Sequence, residues 1–531
     1  MPGKYLLTTL GCKVNQYDSQ RIRETLEALG WRPAQGGEKP DIAVVNTCAV
    51  TATASAKSRQ LIRRIACGGD TPVYVVGCGA GADAERIRRI HGVHTILDHS
   101  VDIPAELEAS LPGLPPFSPN FIVSRPQPVV KLGLRRAARG ELQTDHMSEH
   151  SATQPPRLPA VRERSSVGQL RGRIHRFAGH QRAFLKVQDG CDAFCTYCIV
   201  PRLRRELKSK PLDVALAEAR ALVRAGHTEI VVTGVYLGAY GRATALRRKM
   251  GKGGSPLSEL VGALADVAGL ERLRLSSLEP GDVDAQLLEV LASRRNCVPH
   301  LHLSLQSGSA KILRRMNRQY TPGQYVAMID RARRALDQPA ITTDVIVGFP
   351  GETEEDFRAT LDLAAYACFS KIHAFPFSPR EGTAAGRWSR EFVHPSIVRE
   401  RMRRLAEVES RCSYAYRQGL IGTSERVLVE GVDCEPRTPD SKVGHSSFGD
   451  GVPGRSAAYD VQPAIASGRA DRYFEVRVVA EGARPGDLVP VRIDRVTPTR
   501  TYGVLQRWLG ARSDPATPEY ALTGDIRQDV Y

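Results

Sequence analysis

At 531 residues the chain is long enough for roughly three or four domains, and it can bury several cores without disulfides. Its 74 Lys and Arg against 58 Asp and Glu give a net charge of +16, which points to a polyanionic partner such as nucleic acid or an anionic membrane surface. A hydrophobic content of 42% with 25% charged residues excludes global disorder. No apolar run approaches the roughly 18 residues of a membrane-spanning helix.

In chain order, residues 5–10 read as a strand that runs straight into Gly11-Cys12, not as a signal peptide. A cytoplasmic location is therefore expected, where thiols stay reduced. The 11 cysteines are then metal ligands, reactive groups or buried small residues rather than a disulfide framework. Residues 18–29 carry a helical pattern, with Ile22, Leu26 and Leu29 on one face and Gly30 at the stop position. Residues 42–45 and 73–76 read as buried strands of β-branched residues. The alternation predicts a small α/β domain with a mostly parallel sheet over residues 1–110.

Over residues 111–180 the pattern dissolves into Pro, Ser, Arg and His. Residues 125–182 hold twelve Lys and Arg against four acidic residues, a net charge of +8. This basic linker reads either as a solvated, disordered segment or as a strap that contacts RNA phosphates. From 181 to 420, strand candidates at 183–187, 229–233, 272–276, 301–305, 342–347 and 372–375 alternate with helical segments. One such helix ends at Ala225, with Asp213 as the expected N-cap and Gly226 at the stop position. Six such units predict a barrel or partial barrel of parallel strands with reactive loops at their C-terminal ends. Segments at 426–430, 473–479, 487–493 and 501–505 predict a compact all-β module over 421–510, interrupted by a Gly/Ser/Pro-rich insertion at 434–470. Residues 511–531 read as a loose tail. The expected fold class is α/β: a small parallel-sheet N-terminal domain, a central partial (β/α) barrel and a small C-terminal all-β barrel.

The most specific feature is Gly190-Cys191-Asp192-Ala193-Phe194-Cys195-Thr196-Tyr197-Cys198, a C-x3-C-x2-C run on a loop straight after a strand. Soft thiolates select iron–sulfur clusters, zinc or copper. A 4Fe-4S cluster ordinarily takes four Cys, so three leave one iron open for another ligand, such as the amino and carboxylate groups of S-adenosylmethionine. A zinc knuckle or three core cysteines is the plainer alternative, but a knuckle needs a fourth ligand in register, and no Cys or His follows Cys198 for roughly thirty residues. The second triplet is dispersed. Cys12, Cys48 and Cys78 each follow a predicted strand, so in a parallel sheet all three reach one edge, where α/β domains place ligands. Coincidence within an α/β core is the competing reading of that placement. Cys67, Cys297, Cys368, Cys412 and Cys434 read as isolated packing residues.

Thr9-Leu10-Gly11-Cys12-Lys13-Val14-Asn15-Gln16-Tyr17-Asp18-Ser19 resembles the opening of the radical S-adenosylmethionine methylthiotransferases. Val45-Asn46-Thr47-Cys48-Ala49-Val50, Val76-Gly77-Cys78 and the Cys191 to Cys198 run match the family's next blocks. So do Ser276-Ser277-Leu278-Glu279-Pro280, Leu303-Ser304-Leu305-Gln306-Ser307-Gly308-Ser309, Met316-Asn317-Arg318 and Thr343-Asp344-Val345-Ile346-Val347-Gly348-Phe349-Pro350-Gly351-Glu352-Thr353. The match covers about 1–100 and 180–420 in order. Gly486-Asp487-Leu488-Val489-Pro490-Val491-Arg492-Ile493 is similar to part of the family's small RNA-binding barrel, TRAM; a non-binding structural cap is the alternative for this module. Lys13-Val14-Asn15-Gln16 looks most like the branch acting on N6-threonylcarbamoyladenosine in tRNA. Three departures stand out. Gly79-Ala80 replaces the family's usual Tyr-Ala pair, Arg202-Leu203-Arg204-Arg205-Glu206 replaces an aromatic residue and Arg-Gly, and the linker is long.

The resemblance implies two 4Fe-4S clusters and S-adenosylmethionine as cofactors. Cys191, Cys195 and Cys198 would hold the cluster that cleaves S-adenosylmethionine, and Cys12, Cys48 and Cys78 an auxiliary cluster whose open iron carries the sulfur. The implied reaction is 2-methylthiolation of N6-threonylcarbamoyladenosine at position 37 of tRNA. The other branches, acting on isopentenyladenosine in tRNA or on a ribosomal-protein aspartate, are the alternatives. A non-catalytic RNA-binding iron–sulfur protein is the rival class, and the cysteine triplet within a long βα array argues against it. The implied partners are the tRNA anticodon loop, a low-potential electron donor such as flavodoxin or ferredoxin, and a sulfur donor, with no membrane. Glu279, Gln306, Gly348 and Phe349 follow barrel strands and are candidates for the S-adenosylmethionine pocket, unless they are structural strand-end residues. Arg202, Arg204, Arg205, Lys208 and Lys210 are candidates for RNA phosphates, with a solvated helix start as the plainer reading.

Overall fold

Runs of β-branched residues flanked by Gly and Asn make the short strands that set the N-terminal architecture. The computed structural model describes residues 3–111, 168–170, 172–247, 254–433 and 464–508. Most of the 111–180 and 434–470 segments and the whole 511–531 tail lie outside the described residues, as does Cys434. Strands β1 (Lys4–Thr9), β2 (Arg32–Pro33), β3 (Ile42–Thr47), β4 (Val73–Gly77) and β5 (Val93–Leu97) pair in the order β2-β1-β3-β4-β5, all parallel. β3 and β4 are buried along their whole length, as in parallel sheets covered on both faces. Tyr5, Ile22, Leu26 and Val44 pack one face, and Ala43, Val45, Ile62 and Val75 pack the other. The first helix, Lys13–Ala28, starts at Lys13 with Cys12 as its cap, not at Asp18. The stretch matched as a motif is thus itself the first helical turn, burying Val14 and Tyr17.

The central region begins with β6 (Gly168–Gln169), β7 (Arg182–Asp189), β8 (Lys208–Ser209), β9 (Glu229–Gly234) and β10 (Arg272–Leu275), in the order β10-β9-β7-β8-β6. It continues with β11 (His300–His302), β12 (Ala340–Val347) and β13 (Lys371–Pro376). β7, β9 and β10 are mutually parallel, as are β11, β12 and β13, and isolated bridges at Leu273–Cys297 and Leu278–Leu303 join the two sheets. The six expected strand–helix units are therefore present as a partial barrel. The expected strand at 301–305 is His300–His302, followed by isolated bridges at Leu303 and at Gln306, which takes a left-handed φ of 62°. Asp213 lies in the first turn of the helix Leu212–Arg224, whose cap is Pro211 without a side-chain bond. The segment assigned to the linker already joins the core before residue 180: β6 pairs with β8, and Ile174 and Phe177 are buried in the barrel cluster.

The C-terminal strands β14 (Ser424–Asp433), β15 (Ile465–Ala470), β16 (Glu475–Val479), β17 (Leu488–Val496) and β18 (Thr501–Leu505) close into a five-stranded barrel. β15 lies inside the expected 434–470 insertion. Its inward residues are Ala466, Gly468 and Ala470, too small to give the apolar alternation that marks a strand, and a Cβ at Gly468 would stand 2.1 Å from Leu428 O. The barrel is bolted to the central region through arginines. Arg272, fully buried, donates to Arg469 O and Ala470 O at 3.0 Å each and pairs with Glu229 and Asp471 at 3.1 Å. Two cysteines expected to be isolated are neighbours: Cys368 Sγ lies 3.7 Å from Cys412 O, between the helices Glu354–Ala367 and Pro395–Gln418. Among the described residues no helix is long and apolar enough to cross a membrane.

Candidate active site

Three consecutive parallel strands bring Cys12, Cys48 and Cys78 to one sheet edge. Each follows the C-terminal end of its strand (β1, β3, β4), and parallel pairing puts those ends side by side. The loops are locked by buried amides. Asn15 Nδ2 donates to Leu10 O and Thr47 O at 2.9 Å, and Asn46 Nδ2 donates to Asn15 O and Ser19 Oγ at 2.9 Å. Gly11, at φ +117°, allows the closest approach: a Cβ there would lie 3.3 Å from Cys48 Sγ. Burial pushes the Cys48 thiol up to about 12, against the Val50 N–H, and Cys12 and Cys78 push it the same way. Burial also raises Cys78, with Arg204 opposing and Cys12 adding to the rise. The Gly79-Ala80 departure has a local reason, because a side chain at Gly79 would meet Thr47 Oγ1 at 2.6 Å.

Cys191, Cys195 and Cys198 lie on the loop after β7, held from three sides. Asn317 Nδ2 donates to Ala193 O and Phe194 O at 3.1 Å, and Thr196 N donates to Met316 O at 3.0 Å. On another side Thr244 Oγ1 and Ala245 N donate to Asp192 at 2.7 and 2.6 Å. Arg318 reaches in with a buried guanidinium, 3.3 Å from Cys195 Sγ, 3.3 Å from the Tyr197 hydroxyl and 2.8 Å from Glu279. Burial pushes Cys198 up to about 12, Cys195 adds to this, and Cys78 acts in the same direction. Cys78 also packs with Ile199 and Leu203, just past the loop. The two triplets, far apart in sequence, thus come together where the N-terminal sheet edge meets the barrel loop. Phe194 and Val50 stay 60% and 55% exposed beside them.

Among the described residues no three His, Cys, Asp or Glu side chains gather tightly enough to hold a single metal ion. In a four-iron cluster each cysteine binds a different iron, so the thiols need to face one cavity, not one point. The donor set fits such clusters: soft thiols, with Cys48 and Cys78 buried, Cys191, Cys195 and Cys198 half-buried and Cys12 exposed, and a cation beside each triplet. Beside this loop, Glu279 Oε2 is buried without a partner next to Arg318, an acceptor that fits an amino group such as that of S-adenosylmethionine.

The structure separates the remaining candidates. Glu279 and Gln306 are buried but retain 5% and 9% exposure, whereas Phe349 is fully buried. Phe349 supports the cysteine loop from below, with Tyr197 edge-on at 6.5 Å and Trp388 at 6.0 Å, and so has no surface for a cofactor. Gly348 is buried too, packed so that a Cβ would stand 2.5 Å from Val398. Arg204 is not an RNA contact either. Its side chain is 3% exposed and pairs with Asp18 at 2.8 Å and Asp189 at 2.8 Å, alongside Lys186. Lys210 is buried against Glu218 and the Tyr17 hydroxyl. Arg202 and Arg205 are exposed, and Lys208 is 41% exposed beside Glu206. Reading the sequence missed the roles of Asn317 and Arg318; their block, Met316-Asn317-Arg318, was the available signal.

The model of the radical SAM superfamily matches residues 185–364, and that of uncharacterized protein family UPF0004 matches residues 4–98. Threonylcarbamoyladenosine tRNA methylthiotransferase MtaB of Chlamydia pneumoniae is 32% identical over 481 residues, spanning 90% of this chain and 98% of that protein. The tRNA-2-methylthio-N(6)-dimethylallyladenosine synthase of Mycobacterium bovis (strain ATCC BAA-935 / AF2122/97) is 33% identical over 511 residues, spanning 93% of this chain and 85% of that protein. Among solved structures, the radical S-adenosylmethionine methyltransferase TsrM from Kitasatospora setae is 16% identical with a TM-score of 0.47, covering 73% of this chain and 77% of that chain. The fold and the cysteine loop define a radical S-adenosylmethionine enzyme, for which a 4Fe-4S cluster and S-adenosylmethionine are the family's cofactors. Within that class the chain belongs to the methylthiotransferase family, enzymes that transfer sulfur-containing groups.

Proposed function

We propose that this enzyme converts N6-threonylcarbamoyladenosine at position 37 of tRNA to its 2-methylthio derivative. The observation that carries the reading is the meeting of the two cysteine triplets, with Cys78 packed against Ile199 at the end of the Cys191–Cys198 loop. Cys191, Cys195 and Cys198 hold one 4Fe-4S cluster, and Cys12, Cys48 and Cys78 hold a second. When bound, the clusters and S-adenosylmethionine supply radical hydrogen abstraction and the sulfur to be inserted. The chain's own residues position them. Arg318 fixes Cys195 and Glu279 together, and Glu279 Oε2, buried and unpartnered, would accept from the ammonium of S-adenosylmethionine. Gln306, on its left-handed turn beside β12, would be a second polar contact for that cofactor. Exposed Arg202 and Arg205, next to the cysteine loop, take the phosphates of the anticodon loop, with Lys208 at the margin. A low-potential reductant such as flavodoxin or ferredoxin and a sulfur donor complete the reaction in the cytoplasm.

The substrate branch is supported by the match to the threonylcarbamoyladenosine enzyme over almost its whole length; the similar identity to the dimethylallyladenosine enzyme makes that the competing arm of the test. Expression in a host lacking both tRNA activities, followed by mass spectrometry of tRNA nucleosides, is expected to yield the 2-methylthio-threonylcarbamoyl nucleoside. The dimethylallyl product alone, or no tRNA product, overturns the reading. Anaerobic reconstitution is expected to give about eight irons, falling to about four in the Cys12→Ala, Cys48→Ala, Cys78→Ala triple variant. A count unchanged near four removes the second cluster.

A further inference from the structure

Part of the net charge of +16 is gathered around one cavity of the N-terminal domain that the cluster chemistry does not use. The cavity holds about 470 Å³ beside the helices Ala52–Ala66 and Ala84–Arg88, and Arg59, Arg63, Arg86, Arg89 and His91 line it together with the buried methyl of Ala66. Two of the four arginines are answered by carboxylates. Arg59 pairs with Asp83 at 2.6 Å, and Arg86 lies 3.9 Å from Glu381, whose side chain is 95% exposed. Arg63 and Arg89 are exposed, and their side chains make no hydrogen bond or ion pair among the described residues.

Gathering guanidinium groups in this way costs self-repulsion. Arg59 and Arg63 stand one turn apart on one helix face, a spacing at which like charges destabilise a helix. A cation in the last turn complements the helix dipole, and this accounts for Arg63 or Arg64 taken singly. It does not account for arginines of two helices lining one space. An anion that offers several oxygens at one point does account for it. A phosphate is such an anion, and the planar fork of an arginine takes two of its oxygens at once.

One loop ties the cavity to the cysteine site. Ala52 N donates to Ser378 Oγ at 2.9 Å, Arg380 Nη1 donates to Thr51 O at 3.4 Å, and Glu381 faces Arg86. A Cβ at Gly382 would stand 3.1 Å from Arg202 Nη1. Basic groups therefore continue from Arg202, beside the cysteine loop, to the cavity. Arg59 and Arg63 lie about 11 and 17 Å along their helix from its start near Cys48, at about 1.5 Å per residue. That places the cavity past a base held at the cysteines, where the backbone leading away from that base would run. A reductant docked in the cavity would be held at the same remove from the cysteines, which favours RNA over an acidic protein. We propose that this cavity is a phosphate site for the backbone of the tRNA anticodon stem, with Arg63 and Arg89 taking phosphate oxygens and Arg59 and Arg86 as its charged walls. The contact positions the RNA without reading its sequence. The proposal rests on the tRNA reading above, but not on which N6 substituent the enzyme prefers.

The test is binding of a synthetic anticodon stem-loop by the reconstituted full chain over a salt series, against the same stem-loop with neutral methylphosphonate linkages in its stem. The unmodified enzyme is expected to bind the charged stem about tenfold or more tighter, the size of one or two charge-assisted hydrogen bonds. The Arg63→Ala, Arg89→Ala double variant is expected to lose most of that difference at unchanged iron content. Its slope of log affinity against log salt should be shallower by about two. Arg63→Lys, Arg89→Lys keeps both charges and is expected to restore the slope. Equal binding of the two RNAs by the unmodified enzyme overturns the proposal, and that comparison needs no variant. A full preference for the charged stem in the double alanine variant overturns it too, and slower reduction of that variant by flavodoxin would then assign the cavity to an acidic reductant. Failure of the unmodified enzyme to bind either RNA overturns the tRNA reading itself.

Discussion

Arg318 illustrates how one side chain ties a reactive loop to its surroundings. Its planar fork serves Cys195 Sγ, the Tyr197 hydroxyl and Glu279 at once, with Tyr320 beneath it at 5.0 Å. A lysine is a point charge on a flexible stem and cannot hold these directions together. Arg318→Met leaves Glu279 as a buried, uncompensated carboxylate and is expected to cost about 3–5 kcal/mol of stability, read by urea denaturation. Arg318→Lys is expected to recover part of that stability but not the rate of S-adenosylmethionine cleavage, measured as 5′-deoxyadenosine. Equal cleavage rates in Arg318→Lys and the unmodified enzyme would show that only the charge matters.

At the scale of elements, the joint between the C-terminal barrel and the central strands is ionic and largely buried. Glu229, the first residue of β9, faces Arg272 and Arg274 from β10 and Arg182 from β7. Burial opposes its ionisation, yet Arg272, Arg274 and Arg182 outweigh burial and hold the carboxyl down to about 2, from an ordinary value of 4.5. A depressed carboxyl stabilises the folded form above its unfolded pKa and loses that contribution as pH falls through the folded value. Acid unfolding is therefore expected to steepen between about pH 4.5 and 2, and Glu229→Gln to flatten that interval while lowering stability at pH 7. An unchanged acid profile in Glu229→Gln would place the acid sensitivity elsewhere. The same logic joins the N-terminal helix to β7: Arg204→Ala leaves the neighbouring carboxylates of Asp18 and Asp189 to share Lys186 alone and is expected to cost about 3 kcal/mol, the lower end for a broken buried pair.

For the whole molecule, the net charge of +16 has two separable uses. Exposed arginines serve association, and buried ones serve assembly. Arg202 and Arg205 belong to the first kind, so the double alanine variant is expected to weaken tRNA binding about uniformly across tRNA species. The slope of log affinity against log salt should become shallower by roughly two. An unchanged slope would place the phosphate contacts on other surfaces, such as exposed Arg492, Arg495 and Arg500 of the C-terminal barrel.

The sequence by itself determined the chemistry. A C-x3-C-x2-C loop keeps three thiols within one turn whatever surrounds it, and a cysteine at the end of each parallel strand must reach the same edge, because strand direction alone sets that geometry. Six strand–helix units were legible for the same reason, being local patterns of period and punctuation. Only the tertiary structure decided which charges are available. Arg202 and Arg204 are two residues apart and alike in type, yet Arg204 is buried because Asp18, from the first helix of the N-terminal domain, folds against it. β15 was hidden because its inward residues are small enough for Leu428 to pass close, a fact of packing and not of pattern. The meeting of the two cysteine triplets depends on long-range docking of the N-terminal domain against the central region, where Asp18 pairs with Lys186 and Arg204. No local pattern in the chain encodes that docking, since it is the sum of many contacts between residues far apart in sequence.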